Sequence, residues 1–102
     1  METKNTKSKV FSCQANGNSM SPTIYSGDTV TIYTNNSVYD TGDIILYHKN
    51  DIQVLHRIVC SFLCSKKQFY ITKGDALASD DEDLVIPSQI IGKVLHIQHH
   101  QQ

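Results

Sequence analysis

The chain has 102 residues, with nine Lys and Arg, ten Asp and Glu, and a net charge of −1 at neutral pH. This length fits one domain with one hydrophobic core, and the near-neutral charge gives no sign of nucleic-acid binding. No window of the sequence approaches the roughly 18–20 apolar residues that cross a bilayer. We therefore expect a cytoplasmic domain, peripheral to the membrane at most, with membrane contact only through a partner or a missing anchor.

Residues 1–7 are predicted to form a flexible basic arm, in which the lysines are too sparse for a lipid or nucleic-acid patch. The cysteine count is odd, which together with the lack of a secretion signal indicates a reducing compartment. Zinc binding by Cys60 and Cys64 would need two further ligands, and only His48 is loosely plausible. We expect no metal and no other cofactor.

The predicted elements are strands and turns throughout. No segment shows helical periodicity over ten residues, and turn residues bound several β-rich runs. The hairpin turns are predicted at Asn50-Asp51 and at Ser65-Lys66-Lys67. The predicted strands cover residues 8–14, 28–34, 43–49, 52–60, 67–73 and 89–97. These elements predict an all-β fold, a single small domain of coiled, partly barrel-like sheet over residues 8–98, with a frayed tail over 99–102.

A stiff loop is predicted between the first two strands, where residues 17–28 read GNSMSPTIYSGD. Gly17 permits a sharp bend, while Pro22 fixes its own φ and keeps Ser21 extended. The loop should therefore hold Ser19 in one place, which is the preorganisation that a nucleophile needs.

His56 lies in the fourth predicted strand, within the segment VLHRIV. Taken alone, it is more often one polar residue on a half-buried strand. Together with the serine loop it becomes a candidate general base, because a histidine needs only modest tuning to accept a proton near neutral pH.

Two carboxylates are candidates for orienting the histidine. Asp75 follows Gly74 directly after the fifth predicted strand, where it could also be a simple turn residue. Asp81 lies in the acidic run at 79–83, which we expect to be mostly exposed with one carboxylate turned inward. Asp80 is a close substitute for Asp81, and the sequence leaves the choice among these three open.

Three segments together resemble the signal peptidase I family and the related LexA-like self-cleaving proteins. They are the serine loop, VLHRIV, and TKGDA at 72–76 with its continuation through VIP and IIGKV, and they follow the family's order over residues 17–94. The His-Arg pair resembles the branch formed by the endoplasmic-reticulum, archaeal and sporulation-type enzymes, since other bacterial members carry a lysine base. The resemblance implies a serine endopeptidase that cleaves a leader, signal or propeptide by a Ser-His(-Asp) mechanism.

The family roles transfer to positions of this chain with two departures. Ser19 would be the nucleophile, His56 the base, and an extended peptide or precursor protein the substrate, bound along strand edges. Gly17 stands where many signal peptidases have a serine that helps the oxyanion hole, so we assign that task to the backbone N–H groups of Ser19 and Asn18. Leu77 stands where the family usually has an asparagine.

Substrate pockets and the alternative function are less determined by the residues. Met20, Ile24 and Ile44 could shape shallow pockets for small side chains, although each is individually more typical of ordinary core. The alternative to a peptidase is a non-catalytic or self-processing LexA-like regulatory or assembly domain. A non-catalytic domain is disfavoured because Ser19, His56 and Asp75 are all retained, and self-cleavage is disfavoured because the sixteen residues before Gly17 contain no obvious Ala-Gly or Cys-Gly scissile pair. The oligomeric state is not readable from the sequence.

Overall fold

The computed structural model describes residues 9–34 and 38–100, and in this part of the chain the regular secondary structure is almost entirely β-strand. A short 3-10 turn at Pro87–Gln89 precedes the last strand. The strands are β1 (Lys9–Gln14), β2 (Thr29–Thr34), β3 (Ile44–Lys49), β4 (Ile52–Cys64), β5 (Lys67–Lys73) and β6 (Ile90–Gln98). The all-β prediction is confirmed. The arm predicted for residues 1–7 lies outside the described residues.

The strands form one six-stranded antiparallel sheet in the order β1-β2-β6-β3-β4-β5. β6 is last in sequence but lies between β2 and β3, so it joins the amino-terminal strand pair to the β3–β4–β5 meander. The pairing register shifts within three of the strand pairs, between Thr31 and Ile32, between Leu46 and Tyr47, and between Ile58 and Cys60. Such bulges bend strands and increase their twist, which accounts for the coiled sheet.

Core side chains cover both faces of the sheet. On β3, Ile44 and Leu46 contact one cluster, while Ile45 and Tyr47 contact the other, as the alternation of a strand requires. The first cluster is closed by the loop between β1 and β2, and the second by side chains of β4, β5 and the segment after β5. The central strand β3 is therefore buried on both faces, and it fixes the loop against the sheet.

Both predicted hairpin turns are present. Asn50 and Asp51 have φ values of 49° and 72°, and Ser65 and Lys66 have values of 52° and 67°. Two consecutive positive values are typical of the type I′ turn, whose twist matches that of the flanking strands. β4 extends four residues beyond its predicted end at residue 60, because residues 60–64 pair with β5 in an exposed hairpin arm rather than entering a loop.

The carboxy-terminal residues differ from the expected frayed tail. The backbone N–H of His100 donates to Oδ1 of Asp28 at 2.6 Å, and Nδ1 of His99 lies 2.8 Å from Oδ2. Asp28 is buried, and backbone N–H donors from Tyr25 and His100 lower its pKa to about 2. A buried carboxylate needs such partners, so it holds the chain at residues 99–100. Residues 101–102 lie outside the described part of the chain.

Candidate active site

The serine loop is held by its own backbone and by core packing. The N–H groups of Thr23 and Ile24 both donate to the carbonyl oxygen of Met20 at 2.9 Å, and Ser26 N–H donates to Oδ1 of Asn18 at 3.0 Å. The Met20 and Ile24 side chains are buried beneath this turn. Ser19 is left half-buried at the surface of the loop.

Three side chains form a continuous line of hydrogen bonds. Oγ of Ser19 lies 3.1 Å from Nε2 of His56, and Nδ1 of His56 lies 2.6 Å from Oδ2 of Asp81. These residues come from the β1–β2 loop, from β4 and from the loop after β5. His56 is 9% exposed, so the imidazole is shielded from water while its edge meets the serine. Nucleophile and base are within the reach that general-base catalysis requires.

Asp81 is held in place by its backbone and its side chain. Its N–H donates to the carbonyl oxygen of Thr72 at 2.8 Å, and Oδ2 accepts from Thr72 Oγ1 at 2.7 Å and from Tyr47 OH at 3.4 Å. Burial by itself would raise the pKa of Asp81, but the bonds from His56, Thr72 and Tyr47 outweigh it and lower the pKa. The ionised carboxylate is an acceptor only, so it selects the His56 tautomer with its proton on Nδ1.

Asp75 contacts a different partner. Arg57 donates from Nε to Oδ1 at 2.9 Å and from Nη2 to Oδ2 at 2.7 Å, and Thr23 Oγ1 donates to Oδ2 at 2.7 Å. The bidentate Arg57 guanidinium holds the pKa of Asp75 below its ordinary value. The structure thus brings Asp81, and not Asp75, to His56. Asp80 is exposed in the chain just before Asp81.

The segment after β5 also fastens the nucleophile loop. Ala76 N–H donates to the carbonyl oxygen of Ser19 at 2.9 Å, and Asp75 N–H lies 3.3 Å from the sulfur of Met20. A Cβ atom at Gly74 would lie 2.7 Å from the Ser19 carbonyl oxygen and 3.1 Å from Nε2 of His56. Glycine at this position is therefore what allows the serine loop and the histidine strand to meet.

The three apolar pocket candidates belong to the core. Met20 is 3% exposed, Ile24 1% and Ile44 8%, and all three lie in the core cluster beneath the serine loop. The turn directs the Met20 and Ile24 side chains inward, and the expectation that the three residues shape shallow substrate pockets stays a prediction. Ile44 borders a surface groove beside Arg57, to which it exposes only a small edge. The oxyanion role of the Ser19 and Asn18 N–H groups stays a prediction.

Sequence reasoning missed the partners of the carboxylates. Thr72 belongs to the TKGDA segment and Arg57 to VLHRIV, so each lies in a motif, but neither residue was given a role from the sequence as the partner of a carboxylate. Tyr47 had no signal, because it lies in an apolar run typical of a core strand. Within residues 9–34 and 38–100, no group of three or more His, Cys, Asp or Glu side chains could hold a metal ion. In the same residues, no helix is both long and apolar enough for a membrane crossing.

The family assignment follows from comparison with known proteins. The sequence profile of the peptidase S24-like family matches residues 1–95. The relatives include the signal peptidase complex catalytic subunits SEC11 of Pyricularia oryzae, 36% identical over 76% of this chain and 51% of the relative, and of Neurospora crassa, 33% identical over 74% and 51%. The SEC11 protein of Plasmodium falciparum is 35% identical over 70% of this chain and 40% of its own.

The chain spans about half the length of the curated relatives it matches. The profile match nevertheless covers nearly all of the chain, including every side chain of the hydrogen-bonded line. The chain therefore belongs to the peptidase S24-like family, and within it to the endoplasmic-reticulum, His-type branch of the signal peptidases.

Proposed function

We propose that this chain is a serine endopeptidase domain that cleaves a leader, signal or propeptide, with Ser19 as nucleophile, His56 as general base and Asp81 as the orienting acid. The observation that carries the proposal is the line of hydrogen bonds from Ser19 Oγ through both ring nitrogens of His56 to Asp81. Family membership supports the reaction class, and the SEC11 relatives are named as catalytic subunits of a signal peptidase complex.

In the proposed reaction, Nε2 of His56 accepts the Ser19 hydroxyl proton as Oγ attacks the scissile carbonyl carbon. The Asp81 carboxylate stabilises the imidazolium that forms. The oxyanion of the tetrahedral intermediate would accept hydrogen bonds from the Ser19 and Asn18 N–H groups. His56 then returns the proton to the leaving amine, and a water molecule activated by the same imidazole hydrolyses the acyl-enzyme.

Asp75 takes a supporting role in this proposal. Its carboxylate joins Arg57 of β4 to Thr23 of the serine loop, so it ties the strand that carries the base to the loop that carries the nucleophile. The base on the strand and the nucleophile on the loop must keep their separation to within about 0.5 Å for productive geometry. We therefore assign Asp75 to positioning and not to proton transfer.

The decisive experiment is labelling by a serine-directed phosphonate, read as intact mass, together with cleavage of a precursor peptide. The wild-type chain should gain one phosphonyl group, and Ser19→Ala should gain none. Ser21→Ala is the matched control, since Ser21 lies in the same loop while the serine hydroxyl hydrogen-bonded to His56 is that of Ser19. Labelling of Ser19→Ala at the wild-type rate would refute the assignment.

Variants of the base and the acid complete the test. His56→Ala should reduce turnover about as much as Ser19→Ala does, because residues that act as one unit lose nearly everything when either is removed. Asp81→Asn should reduce kcat by roughly 10³–10⁴-fold, since a neutral amide cannot stabilise the imidazolium. Incubation of the chain alone, followed by intact mass, tests the self-processing alternative, which would shorten the chain.

A further inference from the structure

Two buried hydroxyl groups converge on the Asp81 oxygen that contacts His56. Thr72 Oγ1 and Tyr47 OH lie 2.7 Å and 3.4 Å from Oδ2, and the two hydroxyl oxygens are 3.2 Å apart. Thr72 is 0% exposed and Tyr47 2%. Oδ2 of Asp81 therefore has three hydrogen-bond donors around it, one on each of β3, β4 and β5.

We propose that Tyr47 and Thr72 are positioning residues, which hold the Asp81 carboxylate so that Oδ2 points at Nδ1 of His56. Asp81 lies in an acidic loop whose neighbours Asp80 and Glu82 are exposed. The Asp81 side chain itself turns inward to the sheet, so the direction of its carboxylate depends on the hydrogen-bond donors that the sheet strands present to it. The catalytic consequence of this inference rests on the proposed function, whereas the hydrogen bonding can be tested without it.

Both hydroxyls are suited to permanent donation. Burial, together with the nearby Asp81 charge, raises the pKa of Tyr47 to about 12, so the phenol keeps its proton across the working range of pH. Thr72 has no accessible ionisation. Because an ionised carboxylate offers only acceptor sites, the two hydroxyls stabilise the charged form of Asp81 and disfavour its protonation.

Tyr47 also restrains the imidazole. The rings of Tyr47 and His56 meet edge to face, with centroids 6.5 Å apart and planes at 70°. One side chain thus contacts both the base and the acid. Lys49 forms an ion pair of 3.4 Å with Asp83 and lies on the rim of the shallow cavity that Tyr47, His56 and Asp81 line.

The test removes each hydroxyl from the full chain with little change of shape, by Thr72→Val and by Tyr47→Phe. The carboxyl carbon of Asp81, followed by NMR against pH, should titrate at higher pH in both variants. The Nδ1 proton resonance of His56 should move or broaden through exchange. We expect kcat/KM to fall about tenfold or more for Thr72→Val, mostly through kcat, because a bond to a charged group is lost.

Two further variants separate positioning from general structural damage. Thr72→Ser keeps the hydroxyl and should restore the wild-type Asp81 titration. Tyr70→Phe is the matched control, because Tyr70 is equally buried but its hydroxyl bonds the Tyr39 N–H. It should leave the Asp81 titration and the His56 resonance unchanged even if it lowers the melting temperature.

The outcomes distinguish this inference from the proposed function. If Tyr47→Phe and Thr72→Val both leave the Asp81 titration and the His56 resonance as in the wild type, the inference is wrong, whatever the activity. If both signals shift in a chain that shows no phosphonate labelling, the positioning holds and the proposed function fails. Should Thr72→Val not fold, Tyr47→Phe against Tyr70→Phe still decides the question.

Discussion

Replacing Gly74 by alanine tests whether the contact between the serine loop and the histidine strand depends on the missing side chain. The added Cβ would lie 2.7 Å from the Ser19 carbonyl oxygen, 3.0 Å from Cδ1 of Leu77 and 3.1 Å from Nε2 of His56. The Leu77 side chain is flexible, so its Cδ1 can move away from the added Cβ. The Ser19 carbonyl cannot withdraw freely, because Ala76 N–H bonds it at 2.9 Å.

The size of the effect follows from that distance. Ordinary contact begins near 3.4 Å, so the Ser19 backbone must move by roughly 0.7 Å, more than the roughly 0.5 Å that a catalytic geometry tolerates. A misplacement of about 1 Å can cost about 10²-fold in rate. We therefore expect Gly74→Ala to lower kcat by about 10- to 100-fold and to destabilise the fold by about 1–3 kcal/mol through overpacking.

The assay is the rate of phosphonate labelling and the turnover of a precursor peptide, each divided by the folded fraction from thermal melting. Gly92→Ala is the matched control, since its Cβ would lie 2.5 Å from the Tyr33 carbonyl oxygen, within β2 and β6 and away from the Ser19–His56 pair. It should lower stability at least as much, with little loss of rate per folded molecule. Full labelling by Gly74→Ala at the wild-type melting temperature would refute the reasoning.

Three further predictions concern the carboxylates. Asp75→Asn should lower the free energy of unfolding by about 1.5–3 kcal/mol, because it breaks a charged bidentate pair with Arg57. Since the folded-state pKa of Asp75 is lowered, the contribution of this pair is present above about pH 4 and is lost as the pH falls further. Thermal melts of wild type and variant at a series of acid pH values would show this. Asp28 has a folded-state pKa of about 2, so Asp28→Asn should lower the melting temperature at pH 7. Between about pH 4 and 2, the melting temperature of the variant should fall less steeply than that of the wild type. The same dependence of melting temperature on pH in both proteins would contradict this. Asp83→Asn removes only an exposed ion pair, and should change stability by less than about 1 kcal/mol and turnover hardly at all; an inactive Asp83 variant beside an active Asp81→Asn would overturn the assignment of the acid.

Strand positions could be predicted because their causes are local. Alternating apolar residues and turn pairs such as Asn50-Asp51 act over a few neighbours, and the six predicted strands all begin within one residue of the observed ones. The end of β4 was missed because residues 60–64 pair with β5 outside the core. Side chains there are exposed, so burial does not impose an alternation of apolar and polar residues. The tail at His99 was missed because its partner Asp28 is distant in sequence and only the fold brings the two together.

The all-β class, the family, and the candidate nucleophile and base follow from the amino-acid sequence alone, because they depend on local pattern and on motif order. The folded chain is needed to show that Asp81 contacts His56 while Asp75 contacts Arg57, since both carboxylates follow the same strand and differ in how the chain turns after it. It also shows that Tyr47, which reads as ordinary core, bonds the acid. A hydrogen bond requires two groups within about 3 Å, and such distances between remote residues are set by strand pairing and loop packing rather than by any local pattern.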